Sequence, residues 1–269
     1  LMQTVFGKIV MCLNPRHSSL LFLERIIFKR KHYRQITCIS EQCKKEIVNH
    51  YKVSPHTIEI IYNGVNISIF TPKNRTTYRD AVRATYGIAP DEVLLLFVGS
   101  GFKRKGLKYV IEALSLINKS QKTKLLVVGK GTIREHQRLA RKNGVLDKLI
   151  FAGVCKHIQE IYAGGDIFVF PSEYDAFGTA CLEAMASGLP VIASKSSGVS
   201  EIIAQGQDGF VIHHPIDARE IAKYMNVLFI KEKREQMGCA ARQKAEMYSF
   251  EANTEKTLQV YRNVLHIHH

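Results

Sequence analysis

The sequence predicts an α/β protein built on a doubly wound parallel sheet, and three observations carry that expectation. After Pro90, short apolar runs alternate with segments of helical periodicity, the grammar of βαβ units. The runs are continuously apolar, as at 93–98, so both faces of the sheet are expected to be covered. Glycines stand where runs stop, at Gly99, Gly129 and Gly153, as tight strand-to-helix turns require.

Taken in order, residues 36–39 read as a short strand, and Ser40 as the N-cap of a helix carrying Cys43, Ile47 and Val48. Residues 58–62 read as a second strand ending in the turn signal Asn63-Gly64. Thr71-Pro72 and the polar stretch 73–77 read as a linker. Strands are then expected at 93–98, 125–128, 149–152, 167–170, 190–193 and 210–212, with helices at 105–117, 134–142, 157–163 and 178–187 between them. Ligands of such sheets sit at the carboxyl ends of the strands, beside helix N-termini. The tail, residues 250–265, is a helix with no strand after it. His266, His268 and His269 read as a frayed terminus or tag remnant rather than a metal site.

With 269 residues the chain is long enough for one large or two modest domains. No apolar run approaches the ~18 residues needed to cross a bilayer. Residues 1–14 are apolar but lack a small-residue cleavage site, and the opening reads like the middle of a protein, so a fragment is expected. The six cysteines form no CxxC pair, which suits reduced thiols and a cytoplasmic protein. A net charge of +14 attracts anions: nucleotide diphosphates, acidic lipids or nucleic acid. Arg25, Lys29, Arg30, Lys31 and Arg34 crowd a segment rich in Leu, Ile and Phe. That is the composition of a helix on an anionic membrane surface, or of a packed helix with solvated cations. Nucleic acid is not the expected partner, because aromatic-rich RNA signatures and a helix-turn-helix are both missing.

Two constellations carry chemistry. The first, residues 99–106, joins a strand to a helix through Gly99, Gly101 and Gly106 and adds Lys103, Arg104 and Lys105. Glycines let the backbone approach a ligand, a helix N-terminus presents free N–H groups, and three cations favour a diphosphate. It is no Walker loop, since Leu107 stands where lysine is required, and GxGxxG does not occur. The second constellation runs from Pro171 to Met185. Asp175 ends a loop, Glu183 lies eight residues on along the next helix, and the amides near Phe177, Gly178, Thr179 and Ala180 are expected to be free. Carboxylates accept hydrogen bonds from sugar hydroxyls and free amides hold phosphate, so one loop could grip both ends of a nucleotide sugar. A catalytic acid/base pair is a second reading; an N-cap aspartate plus a helix salt bridge is the plainer one. His213 and His214 have no ligand-spaced acid or cysteine nearby, zinc spacing is missing, and so is Gly-x-Ser-x-Gly.

The segment 171–190, with Ala193 and residues 198–202, resembles the signature region of the family 4 retaining glycosyltransferases: an acid, seven residues, Glu, then Ala-Met and Gly-Leu-Pro-Val. Ser40-Glu41, Asn63-Gly64-Val65-Asn66, Lys105-Gly106 and Phe151-Ala152-Gly153 are similar to the same family in the same order, over about residues 24–261. Arg104-Lys105-Gly106 and residues 18–34 resemble the lipopolysaccharide core glucosyltransferase I group. The resemblance implies a GT-B fold. Residues 1–72 would be the last portion of the acceptor-binding domain, 73–248 the Rossmann-like donor domain, and 249–269 a crossover helix and tail.

It also implies roles. Gly101, Arg104 and Lys105 would hold the donor diphosphate, Asp175 the sugar hydroxyls and Glu183 the ribose. Phe177, Gly178 and Thr179 would offer amides, with Asp175 and Glu183 positioning the donor for transfer. The implied reaction is front-face and retaining, and needs neither metal nor cofactor. The donor would be UDP-glucose or similar and the acceptor a lipopolysaccharide-type glycan or glycolipid, at the inner face of the membrane. Three departures bear on this. Ser100 stands where the family often has Arg, so Arg104 is expected to substitute. Asp175 replaces Glu. Measured against the family, most of the acceptor domain, with its active-site histidine, is expected to lie outside this sequence. The expected outcome is donor binding with little or no transfer; the alternative is a non-catalytic binding module that needs a partner domain.

Overall fold

The computed structural model describes residues 15–29, 33–214 and 216–265. They fall into two compact units, one holding the described residues up to Ile61 and from Lys256, the other Tyr62–Glu255. Residues 1–14, Arg30, Lys31 and the terminal histidines lie outside the described residues, so the readings placed on them have no structural counterpart.

The first unit contains helix α1 (Pro15–Lys29), strand β1 (Ile36–Cys38), helix α2 (Glu41–Tyr51) and strand β2 (Ile58–Ile60). The strands pair in parallel, Ile36 opposite Ile58. Ser40 is the N-cap, its hydroxyl accepting from Cys43 N at 3.1 Å, which satisfies one of the amides a helix start leaves over. Cys38, Val53 and Ile58 form a small core. Phe28 of α1 stacks on Tyr51 with ring centroids 4.3 Å apart, and the Tyr51 hydroxyl bonds Glu24. Elsewhere along α1, Leu20, Phe22, Leu23 and Ile27 are exposed, and so is Arg25.

The second unit runs α3 (Asn74–Thr85), β3 (Val93–Val98), α4 (Leu107–Ser115), β4 (Thr123–Val128), α5 (Ile133–Lys142), β5 (Leu149–Gly153), α6 (Ile158–Gly164), β6 (Ile167–Phe170), α7 (Thr179–Ala186), β7 (Val191–Ser194), β8 (Gly209–Ile212), α8 (Ala218–Phe229) and α9 (Lys231–Glu246). The last helix, α10 (Phe250–Leu265), begins in this unit and ends in the first. Six strands form one sheet in the order β5-β4-β3-β6-β7-β8, every pair parallel. One face packs Leu95, Phe97 and Val127 on Val110 and Ile111 of α4 and Ile221 and Met225 of α8. Helices cover the other face too, which is why the strands read as unbroken apolar runs.

Three local expectations are corrected. The polar stretch 73–77 is no linker: all but Lys73 belongs to α3. Its composition concealed the helix because ion pairs hold it rather than an apolar stripe. Arg79, Arg83 and Arg75 reach the Asp166 carboxylate at 2.7, 3.1 and 3.4 Å, and Leu94 N donates to it at 2.8 Å. Burial alone would raise the Asp166 pKa, but the Arg79 charge and the Leu94 amide outweigh it and hold the carboxyl below its ordinary value. Asn63-Gly64 makes no turn; Gly64 packs on the Ser249 carbonyl, and Val65 bridges to Ser249. Helices α8 and α9 were not anticipated at all.

Candidate functional site

The order of the strands decides where a ligand can sit. From β3 the chain moves outward to β4 and β5, then crosses back so that β6 pairs with the other edge of β3. The connections leaving β3 and β6 diverge, and crevices of this kind, at the carboxyl ends of the strands, are where open α/β sheets take ligands. The two loops that begin there are the two constellations of the sequence.

They close on each other. Glu173 N donates to Arg104 O at 2.9 Å, Ser172 Oγ to the same carbonyl at 3.3 Å, and the Arg104 guanidinium to Tyr174 O at 2.8 Å. Gly106 has φ 77°, and a Cβ there would lie 1.8 Å from the Pro171 carbonyl oxygen. Only glycine permits that approach. Gly101 N donates to Lys130 O at 2.7 Å, tying the first loop to the end of β4.

Lys105 and Asp175 touch: the ammonium meets Asp175 Oδ2 and lies 4.8 Å from the Phe170 ring centroid. Their side chains are 12% and 15% exposed, shielded from water yet open to a ligand. Asp175 Oδ1 accepts from Phe177 N at 3.2 Å. The Phe177 amide is therefore not free, contrary to expectation. Nor is Asp175 an N-cap, since Gly178 holds that position with φ 93° and ψ 53° and gives α7 no side-chain cap. The first-turn amides of α7, at Thr179 and Ala180, have no intrahelical acceptor and lie beside the acidic loop. Asn63 Nδ2 donates to Thr179 Oγ1 at 3.2 Å.

Serines at and just past the end of β7 brace this loop: Ser194 Oγ donates to Ser172 O at 2.5 Å and Ser197 Oγ to Phe177 O at 2.9 Å. Glu183, further along α7, is partly exposed. It makes no salt bridge among the described residues. The Tyr162 hydroxyl donates to its Oε2 at 2.9 Å instead. Burial pushes the Glu183 carboxyl above the ordinary glutamate value, and the Tyr162 hydrogen bond draws it part of the way back. Sequence reasoning missed Tyr162 and the serines. Neither belongs to a motif; the one hint for Tyr162 is that a tyrosine in an apolar segment must find its hydroxyl a partner.

Elsewhere, His213 does have an acid partner: α8 folds back and brings Glu220 Oε1 to 2.8 Å of its Nδ1. Cys38, Cys43, Cys155, Cys181 and Cys239 are unbridged. Among the described residues no group of three or more His, Cys, Asp or Glu is gathered as a metal shell would be, and no helix is long and apolar enough to cross a membrane.

The family described as "Glycosyl transferases group 1" matches residues 78–244, and that described as "Glycosyltransferase Family 4" matches residues 10–69. The uncharacterized glycosyltransferase MJ1607 of Methanocaldococcus jannaschii is 31% identical over 66% of the chain and 47% of its own length. The lipopolysaccharide glucosyltransferase WaaG of Escherichia coli is 29% identical over 78% of the chain and 56% of its own length. The chain thus spans about half the length of these relatives. A crystal structure of WaaG superposes with TM-score 0.82 at 26% identity, over 93% of this chain and 69% of the other. Anabaena HepE in complex with UDP and glucose has the same fold, with TM-score 0.77 at 19% identity, over 88% of this chain and 66% of the other.

Proposed function

Because the chain belongs to the glycosyl transferases group 1 family, we propose that Tyr62–Glu255 form the donor-binding site of a retaining glycosyltransferase that uses a nucleotide-diphosphate sugar. The observation that carries this reading is the Lys105–Asp175 contact at the mouth of the β3–β6 crevice, beside the open amide end of α7. An ammonium suited to a diphosphate and a carboxylate suited to sugar hydroxyls lie against each other there, which supports the reading. On binding, the diphosphate takes Lys105, Gly101 and Arg104 frame it, and Asp175 turns to the sugar. The amides of Gly178 and Thr179 add a fixed positive field, and Glu183 accepts from the ribose. In a front-face displacement the chief task is to stabilise charge growing on the departing diphosphate, and preorganised donors of this type act where that charge develops. The reaction so read calls for no metal or other cofactor.

UDP-glucose is the proposed donor, on the strength of the family resemblance, of WaaG's name as a glucosyltransferase and of the UDP and glucose in the HepE complex. The proposed acceptor is a glycan or glycolipid of the lipopolysaccharide type. A place at the inner face of a membrane is supported by the exposed Leu20, Phe22, Leu23 and Ile27 of α1 beside Arg25. Sedimentation with anionic vesicles, lost in Phe22→Glu, checks it; equal binding to neutral vesicles would overturn it.

A thermal-shift panel with UDP, GDP, ADP and UDP-glucose tests the donor reading. A ligand at 100 times its Kd stabilises a fold by about 2.7 kcal/mol. A selective rise with UDP and UDP-glucose is the expected result, and no rise with any nucleotide would defeat the proposal.

A further inference from the structure

We propose that Tyr162 is a positioning residue of the donor site: its buried hydroxyl holds Oε2 of Glu183 and leaves Oε1 as the acceptor offered to a ribose hydroxyl. The inference rests on the assignment of Glu183 to the donor and adds a residue from a different βα unit. Tyr162 lies on α6, before β6, whereas Glu183 lies on α7, after it. The tyrosine is 0% exposed, its ring packed edge-on against Phe70 at 5.7 Å and tilted against Phe168 at 5.9 Å. A side chain so enclosed has one place to put its hydroxyl, 2.9 Å from Glu183 Oε2 and 3.1 Å from Ala180 O. Nothing else among the described residues hydrogen-bonds the Glu183 carboxylate.

A long, flexible glutamate on a helix otherwise samples several rotamers and loses that freedom when it binds. Here the loss is taken on folding, and one oxygen stays open. The same bond favours the ionised carboxylate, the form that accepts two hydroxyl donors, against the burial that disfavours it. A purely structural tyrosine could satisfy itself on Ala180 O alone, and its removal would then leave the titration of Glu183 where it was.

The test compares the 269-residue chain with Tyr162→Phe by two readouts: the carboxylate titration of Glu183 by isotope-edited infrared spectroscopy, with Glu183→Gln as the blank, and UDP affinity across pH. Loss of the hydroxyl should move the Glu183 midpoint up. UDP affinity should then fall roughly tenfold at the acid end and by less than about twofold where both carboxylates are ionised. In a Glu183→Gln background the tyrosine change should have no further effect on UDP affinity. An unmoved carboxylate titration in folded Tyr162→Phe, or an equal affinity loss at every pH that persists in Glu183→Gln, would overturn the inference. A fluorinated tyrosine at this position, a stronger donor, should move the midpoint down, and keeps the test open should the phenylalanine variant unfold. If the parent chain binds no UDP, or Glu183→Gln binds it equally well, the donor reading itself fails, and the infrared titration still decides whether Tyr162 governs Glu183.

Discussion

Glu183 carries a conflict between folding and binding. Its carboxyl is raised by burial, so the folded chain holds its proton more tightly than the unfolded chain does. A group with a raised native pKa contributes stability that is present below the unfolded value and is lost as pH rises through the native one. Above the ordinary glutamate value Glu183 therefore costs stability. Glu183→Gln should raise the melting temperature at pH 7 and weaken UDP binding in the same sample; a variant that melted lower would contradict the sign. Among the cations, Lys105→Ala should weaken UDP binding by roughly 1.5–3 kcal/mol, the worth of a charge-assisted hydrogen bond. Lys142→Ala, at the exposed end of α5, should leave titration calorimetry unchanged. Equal effects at the two lysines would mean the site lies elsewhere. Identity at these positions was legible in the sequence. That Lys105 and Asp175 occupy each other was not, because their pairing depends on which two strands become neighbours.

Helix α3 shows the limits of reading an element from its composition. Residues 73–77 are polar, and nothing local distinguishes them from a linker. The helix is specified instead by Arg75, Arg79 and Arg83, spaced one turn apart, and by a buried aspartate more than eighty residues away. Removing that anion leaves three guanidinium groups facing one another in a largely dry site. Asp166→Ala should cost about 3–5 kcal/mol, measured by denaturant unfolding. Its native pKa is lowered, so its contribution is full above the ordinary value of 3.8 and fades as pH falls through the lower native value. The parent should therefore lose stability in that acid range, and Asp166→Asn should show less of that loss. The two loops of the candidate site depend on a different device. Gly106→Ala, which sets a Cβ against Pro171 O, should separate them, lowering stability by at least about 2 kcal/mol and abolishing the UDP-induced thermal shift. A stable Gly106→Ala chain that still bound UDP would show that loop closure is not required.

At the scale of the molecule, the chain spans about half the length of its relatives, and the donor proposal concerns Tyr62–Glu255 alone. The 269-residue chain is expected to bind UDP-glucose without turning it over on glycan acceptors; transfer at rates typical of an enzyme would disprove this. The non-catalytic alternative predicts that even a supplied partner domain restores no turnover. Helix α10 leaves Phe250, Leu258, Tyr261 and Leu265 exposed. The sequence by itself determined the α/β class, the six strands of the large sheet and the two loops that begin at its crevice. Strand periodicity, glycine punctuation and clustered charge are local signals that survive in one dimension. Tertiary structure alone decided that β3 and β6 lie side by side, that Lys105 meets Asp175, that Tyr162 holds Glu183 and that Asp166 collects three arginines. Each of these joins residues tens of positions apart, and such contacts exist only once strand order has been chosen by the packing of both sheet faces.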